Sequence, residues 1–133
     1  HTQYSGNDYG TLRSEIERVT DAGLDLILEI EVEGAMQIKK LYGERAVLVM
    51  LIAPNAAEQE RRLRDRQTES ESVIASRLER TQYELSLAPR YEYILVNETG
   101  ALTECAENLS HIIRAAKQAR VRMEPVLDAY YGK

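Results

Sequence analysis

The chain has 133 residues, an apolar fraction of 44% and a formal net charge of −5, which together fit one globular domain. The acidic balance argues against a non-specific nucleic-acid binder, although a few placed arginines would still suffice for one phosphate. The single cysteine, Cys105, excludes an internal disulfide, and the longest apolar run, 46–53, is far too short to cross a bilayer. We therefore expect no nucleic-acid partner, no membrane partner and a cytoplasmic location.

The first predicted element is a helix that follows a turn-rich segment, 5–10. Thr11 is its expected N-cap, and Gly23 stands just past its expected end, where glycine commonly terminates a helix. The apolar residues between them recur at helical spacing: Leu12, Ile16 and Val19.

Three apolar segments predict strands: 26–32, 46–52 and 91–96. The second is continuously apolar and is closed by Pro54, which is typical of a strand buried on both faces of a parallel sheet. A short helix is expected over about 35–41. Because helical patterns separate the strands, we predict an α/β fold with parallel strands and right-handed crossovers.

Three longer helices are expected in the rest of the chain. The first begins at Asn55, with Glu58 three residues on in a capping-box arrangement. The second ends near Pro89, and the third runs from about Thr103 to near Pro125. Their apolar stripes follow helical spacing: Ile74, Leu78 and Leu85 in the second; Leu109, Ile112, Ile113 and Ala116 in the third. Cys105 is predicted to be a small core residue.

Two acidic residues, Glu29 and Glu31, stand near the end of the first predicted strand. With a side-chain period of two, both carboxylates leave the same side of that strand, at the edge where open α/β sheets bind ligands. They could hold magnesium through water or accept hydrogen bonds from a base edge. The alternative is a half-exposed strand edge with two solvated acids.

Arginines flank the polar segment 67–70 on both sides. Arg66 and its neighbours Arg61, Arg62 and Arg64 precede the segment, and Arg77 lies one helix later. Such a set could close over a triphosphate through bidentate contacts. The alternative is a charged, solvated face of an amphipathic helix.

Tyr9 and Thr11 lie at a predicted helix start, where backbone N–H groups, a phenol and a hydroxyl could together hold a phosphate. An ordinary capped helix with a packed tyrosine is the alternative. The sequence contains no G-x-x-x-x-G-K-[ST] phosphate loop.

Six segments, taken in order, resemble guanylate kinase along almost the whole chain. The clearest are S-G-N-D-Y-G-T at 5–11, I-L-E-I-E-V-E-G-A at 27–35 and R-R-L-R-D-R-Q-T at 61–68. They are similar to the family patterns G-N-x-Y-G-[ST], L-[DE]-I-D-x-Q-G-A and R-R-L-x-x-R-G-T. The other three are 53–54, 71–78 and 91–97.

The resemblance implies a role for each matching residue. Tyr9 and Thr11 would bind the GMP phosphate, and Glu31 would contact guanine. Glu29 would lie near the magnesium ion and the phosphate loop. For the part of the site that binds ATP, the phosphate donor, the resemblance implies that Arg66 and Arg77 stabilise charge on the transferring phosphoryl group. It also implies that Asn97 lies near the adenine-side loop.

The resemblance also implies a P-loop NTPase-like parallel sheet with helices on both faces. The chain as given lacks the first strand and the phosphate loop of that fold, so we expect a single partial domain over 1–133. Its parts would be the end of the GMP-binding region and the following helix at 1–23, core at 24–65, the lid at 66–72, and core with the C-terminal helix at 73–133.

The implied activity is phosphorylation of GMP by ATP, with Mg²⁺ as cofactor, in purine nucleotide metabolism. The chain alone is expected to be inactive, and a second chain or an N-terminal segment would complete the sheet. The alternative function is a non-catalytic guanylate-kinase-like module that binds phosphopeptides.

Overall fold

A computed structural model describes residues 2–3, 9–66 and 70–133. The chain divides into two compact units, His1–Leu41 and Tyr42–Lys133. Each unit contains a pair of parallel strands together with helices, so the predicted α/β class with parallel strands is confirmed.

The first unit begins with strand β1 (Thr2–Gln3), which pairs in parallel with strand β2 (Leu28–Glu29). Helix α1 (Tyr9–Asp21) connects the two strands, and helix α2 (Val32–Tyr42) follows β2. A parallel pair requires such a crossover, because a short turn can only join antiparallel strands.

Helix α1 has the apolar stripe that the spacing predicts. Leu12 and Ile16 are buried and Val19 is half-buried. Gly23 ends the helix with a φ of 79°, a left-handed conformation that suits glycine. The predicted N-cap is wrong, because Thr11 is the third helical residue; the residue before Tyr9 lies outside the described part of the chain.

The predicted strand 26–32 is much shorter in the structure. Val32 already belongs to α2, and the N–H of Ala35 donates to the carbonyl oxygen of Glu31 at 2.9 Å. Val32, Ala35 and Ile38 are all buried, so burial follows a helical period that overrides the preference of branched residues for strands. Glu31 therefore precedes a helix, and the expectation that it shares one strand side with Glu29 is wrong.

In the second unit, the described residues form two strands and four α-helices. Short 3₁₀ turns at Gly43–Arg45, Ala88–Arg90 and Arg120–Arg122 connect some of them. In chain order the elements are β3 (Val49–Ile52), α3 (Ala56–Arg66), α4 (Glu71–Ser86), β4 (Tyr93–Val96), α5 (Leu102–Lys117) and α6 (Glu124–Tyr130).

Strands β3 and β4 are paired in parallel, with Met50 opposite Ile94. Met50 and Leu95 are buried, as expected for a core strand pair. The prediction that β3 is buried on both faces fails at Leu51, which is 59% exposed. Its strand pairs with β4 alone among the described residues of this unit, so less of its surface is covered.

The last helical region differs from its prediction. Helix α5 ends at Lys117, and a separate helix, α6, holds Pro125 in its first turn. Proline is tolerated there because a first-turn N–H has no intrahelical acceptor. Cys105 is buried in α5, as predicted, whereas Leu85 of α4 is exposed. No helix of the described residues has the length and apolar character needed to cross a membrane.

Candidate functional site

An open cavity of about 350 Å³ lies at the carboxyl ends of β3 and β4. The N–H of Asn97, just after β4, donates to the carbonyl oxygen of Ile52 at 2.8 Å and so closes this edge of the strand pair. The wall of the cavity is mixed: Leu51, Ile52 and Ala53 contribute apolar surface, and the remainder is polar and rich in arginine. Among its residues are Arg61, Arg62, Asp65, Arg66 and Asn97.

Helix α3 supplies the arginines, and its first turn is fixed by a cap. Asn55 Oδ1 accepts a hydrogen bond from the N–H of Glu58 at 2.8 Å, so the predicted N-cap is confirmed. Leu63 is only 4% exposed and anchors the helix in the core. Arg62 and Arg66 are four residues apart and therefore lie on the same side of the helix.

The carboxylate of Glu58 is shared by three side chains. Arg61 donates to it from Nε at 2.7 Å and from Nη2 at 2.6 Å, and Arg62 donates from Nε at 3.1 Å. The hydroxyl of Thr99 also donates to Glu58 Oε2. In a full capping box the Glu58 carboxylate would accept a hydrogen bond from the N–H of Asn55. Here it accepts hydrogen bonds from these three side chains instead.

These hydrogen bonds determine the electrostatics of the cluster. Donation by Arg61, and next by Thr99, lowers the pKa of the Glu58 carboxyl from 4.5 to about 2. The same contact with Glu58 raises the pKa of Arg61 above its usual value, with a further contribution from Asp65. Glu58 is therefore a carboxylate at any physiological pH.

Arg62 links α3 to the turn after β4. Its Nη2 donates to the carbonyl oxygen of Asn97 at 2.6 Å and to Thr99 Oγ1 at 3.1 Å. Together with the Glu58 carboxylate, these contacts form a closed set of hydrogen bonds, which we call the Glu58 cluster: Glu58, Arg62, Asn97 and Thr99. The cluster joins segments that are 35 to 41 residues apart in sequence.

The structure brings together two of the residues predicted for the donor side. Arg66, the last residue of α3, and Asn97 both line the cavity. Arg77 lies on an exposed part of α4 and does not line it. The predicted lid, 66–72, is only partly described, because residues 67–69 lie outside the described residues.

The other predicted site residues belong to the first unit. Tyr9 is the first residue of α1, and Thr11 lies exposed in its first turn. Glu29 is an exposed residue of β2, and Glu31 is exposed just before α2. Within the ranges described, no group of three or more histidine, cysteine or acidic residues could hold a metal ion.

Sequence reasoning singled out the arginines but missed Thr99 and the shared carboxylate of Glu58. The spacing of Glu58 to Arg61 and Arg62, three and four residues along a helix, is a recognisable signal for ion pairs. No sequence signal connects Glu58 to Thr99, because the contact depends on how α3 packs beside the end of β4.

Comparison with known proteins gives consistent matches. A family model described as guanylate kinase matches residues 1–116. The chain is 40% identical to the guanylate kinase of Streptococcus thermophilus over 130 residues, which are 98% of this chain and 59% of the relative. It is also 40% identical to the Deinococcus radiodurans guanylate kinase over 124 residues, 93% of this chain and 51% of the relative. The Streptococcus mutans guanylate kinase is 38% identical over 131 residues, 98% of this chain and 60% of the relative. The chain thus spans between half and three-fifths of the length of these curated relatives.

Proposed function

Because the chain belongs to the guanylate kinase family, we propose that the complete protein transfers the γ-phosphoryl group of ATP to GMP. The products are ADP and GDP, and the reaction serves purine nucleotide metabolism in the cytoplasm. The relatives named guanylate kinase support this assignment, and so does the order in which the family motifs occur along the chain.

The observation that carries the proposal is the arginine-rich cavity at the ends of two parallel strands. Its volume of about 350 Å³ falls within the range of small-ligand pockets. Carboxyl ends of parallel strands are the usual ligand edge of α/β sheets. Guanidinium groups at such an edge suit phosphate oxygens, because their donors match pairs of oxygens.

We assign the donor side to the second unit. Arg66 stabilises charge on the transferring phosphoryl group, and Asn97 contributes to the wall that faces the donor nucleotide. Among the residues described, Arg66 has no ion-pair partner, in contrast to Arg61, which is paired with Glu58 and Asp65. We assign Arg77 of α4 the same charge-stabilising role as Arg66 on the family resemblance alone, since it does not line the cavity.

We assign the acceptor side to the first unit. Tyr9 and Thr11 bind the GMP phosphate at the start of α1, where first-turn N–H groups and the helix dipole favour an anion. Glu31 selects guanine over adenine. A carboxylate can accept hydrogen bonds from the N1–H and N2–H₂ groups of guanine together, whereas adenine offers no such pair of donors on that edge.

Mg²⁺ fits the donor atoms of this chain if it is held mainly by phosphate oxygens and water. Magnesium in phosphoryl-transfer sites commonly needs only one or two protein carboxylates, and Glu29 is an exposed carboxylate of β2. The chemistry that bound Mg²⁺ supplies is neutralisation of charge on the phosphate oxygens. Glu29 would hold the ion through water.

The test is a coupled ADP assay on the complete product of the gene, with ATP and either GMP or AMP as acceptor. We expect turnover with GMP, and we expect Arg66→Ala to lower kcat on the order of 10³-fold with little change in KM for GMP, by analogy with arginine fingers. Arg120→Ala is the matched control, because Arg120 is an exposed arginine paired with Glu124.

Two results would contradict the proposal. A raised KM for GMP with an unchanged kcat would assign Arg66 to binding rather than to phosphoryl transfer. Absence of turnover, together with binding of phosphopeptides, would identify the non-catalytic interaction module instead.

A further inference from the structure

We propose that Glu58 and Thr99 are positioning residues for the donor nucleotide: they fix Arg62 and the turn after β4, and thereby set the shape of the cavity wall that ATP contacts. The inference rests on the proposed function, because it takes the nucleotide of this cavity to be the phosphate donor. Neither residue is assigned contact with substrate.

The geometry of Arg62 supports this role. Its Nε donates to Glu58, and its Nη2 donates to the carbonyl oxygen of Asn97 and to Thr99. A guanidinium group held at two of its three nitrogens cannot rotate away without losing several hydrogen bonds at once. Arg62 therefore connects α3 to the turn after β4.

Glu58 fixes the position of the Arg62 side chain. It is itself 16% exposed, less than the arginines that contact it, and its N–H is capped by Asn55. The hydroxyl of Thr99 closes the set, because it accepts from Arg62 and donates to Glu58. Loss of Glu58 leaves Arg62 with only its Nη2 contacts, and loss of Thr99 leaves Arg62 with Glu58 and the carbonyl oxygen of Asn97, so either change loosens Arg62.

Glu60 provides an internal comparison. It also accepts from an arginine four residues along α3, since Arg64 Nε donates to it at 3.0 Å. Within the described residues, Glu60 makes no hydrogen bond or ion pair with the turn after β4, so it carries the same charge on the same helix without the long-range link. A substitution at Glu60 therefore controls for loss of charge and for loss of helical ion pairing.

The experiment measures binding of a non-hydrolysable ATP analogue with Mg²⁺, by calorimetry, to the complete protein and its variants. Glutamine at position 58 offers one carbonyl oxygen and places an NH₂ group against the arginine donors. We expect Glu58→Gln to weaken binding roughly ten-fold, the size expected for losing a charged hydrogen bond that orders a site. Thr99→Val should weaken it in the same direction, Thr99→Ser should keep wild-type affinity, and Glu60→Gln should have no effect.

Two further readouts separate positioning from a general loss of structure. In the coupled assay Glu58→Gln should raise KM for ATP and leave KM for GMP unchanged, whereas a partly unfolded protein would show a lower apparent kcat with both KM values unchanged. In the Glu58→Gln, Thr99→Val double variant, the loss of binding free energy should be smaller than the sum of the losses in the two single variants, because both residues hold the same arginine.

The outcomes distinguish this inference from the proposed function. Equal ATP-analogue affinity of Glu58→Gln and Glu60→Gln would overturn the inference and leave the kinase assignment intact. Failure of the wild-type protein to bind the analogue would overturn it as well. Selective loss of ATP-analogue affinity in a protein that does not phosphorylate GMP would support the positioning role and refute the acceptor assignment.

Discussion

Two parts of α3, 56–62 and 63–66, called here its first and second halves, are held in different ways. The first half is joined to the turn after β4 by the Glu58 cluster, in which the part-buried Arg62 contacts the distant backbone of Asn97 and the exposed Thr99 contacts Glu58. The second half is held by exposed ion pairs: Arg64 contacts Glu60 on the same helix and Glu71 at the start of α4. Exposed pairs contribute little to stability and are screened by salt. The base of the helix is therefore fixed to the strand edge, and its tip is only weakly tied.

The comparison bears on the proposed chemistry. Arg62 lies in the fixed half and has its Nε and Nη2 engaged, whereas Arg66 ends the weakly tied half and lines the cavity. A residue that stabilises developing charge must reach the phosphates only when they are bound, so a weakly tied position suits it. A residue that shapes the binding wall is better held in advance, because preorganisation lowers the cost of binding.

The largest expected effect on stability concerns the residue that anchors both halves. Leu63 is 4% exposed, and Leu63→Ala should lower the free energy of unfolding by about 2–5 kcal/mol, through lost burial and the cavity left behind. Denaturant titration of the complete protein measures it. Leu127→Ala, on an exposed part of α6, is the control and should have a small effect. A small effect at Leu63 would show that the core does not hold α3.

A smaller effect is expected from the pH dependence of the fixed half. The folded state lowers the pKa of Glu58 from 4.5 to about 2, chiefly through its hydrogen bond from Arg61. Stabilisation from this carboxylate is therefore fully present above about pH 4.5 and is lost as the pH falls toward 2, where the folded protein also takes up the proton.

Glu58→Gln removes the titrating group, so the variant should lose less stability than the wild type between pH 4.5 and 2. Thermal midpoints measured across this range, with Glu60→Gln as control, test the prediction. Parallel pH profiles for wild type and Glu58→Gln would mean that Arg61 and Thr99 do not hold the ionised carboxylate in solution.

Much of the fold could be predicted from apolar periodicity, because local spacing determines which face of an element is buried. Helix α1 illustrates this with Leu12 and Ile16 inside and Gly23 at its end. The boundary between β2 and α2 was missed because the β-branched residues Ile30 and Val32 favour a strand locally. Tertiary burial of Val32 decided in favour of the helix.

The candidate site was only partly predictable, for a related physical reason. The spacing of acids and arginines identified the charged face of α3, and the family resemblance assigned Arg66 and Asn97 to one side of the reaction. Glu58 and Thr99 are 41 residues apart in sequence, so no local sequence pattern predicts their contact. The roles of Tyr9, Thr11, Glu29, Glu31 and Arg77 stay predictions, as do the boundaries of the lid.

The smallest expected effect concerns the weakly tied half of α3. Arg64 donates to Glu71 at 2.6 Å, and this contact lowers the pKa of Glu71 below its usual value. Glu71 is nevertheless 79% exposed, so water and salt screen the pair. Glu71→Gln should leave the thermal midpoint of the complete protein nearly unchanged at physiological ionic strength, and any loss should disappear when salt is raised. Glu58→Gln, measured in parallel at neutral pH, should lower the midpoint more and keep more of its effect in high salt, because Glu58 and Arg62 are both part-buried and link α3 to the turn after β4. Equal, equally salt-sensitive losses at the two positions would mean that α3 is held in the same way along its whole length, and the contrast between its base and its tip would be wrong.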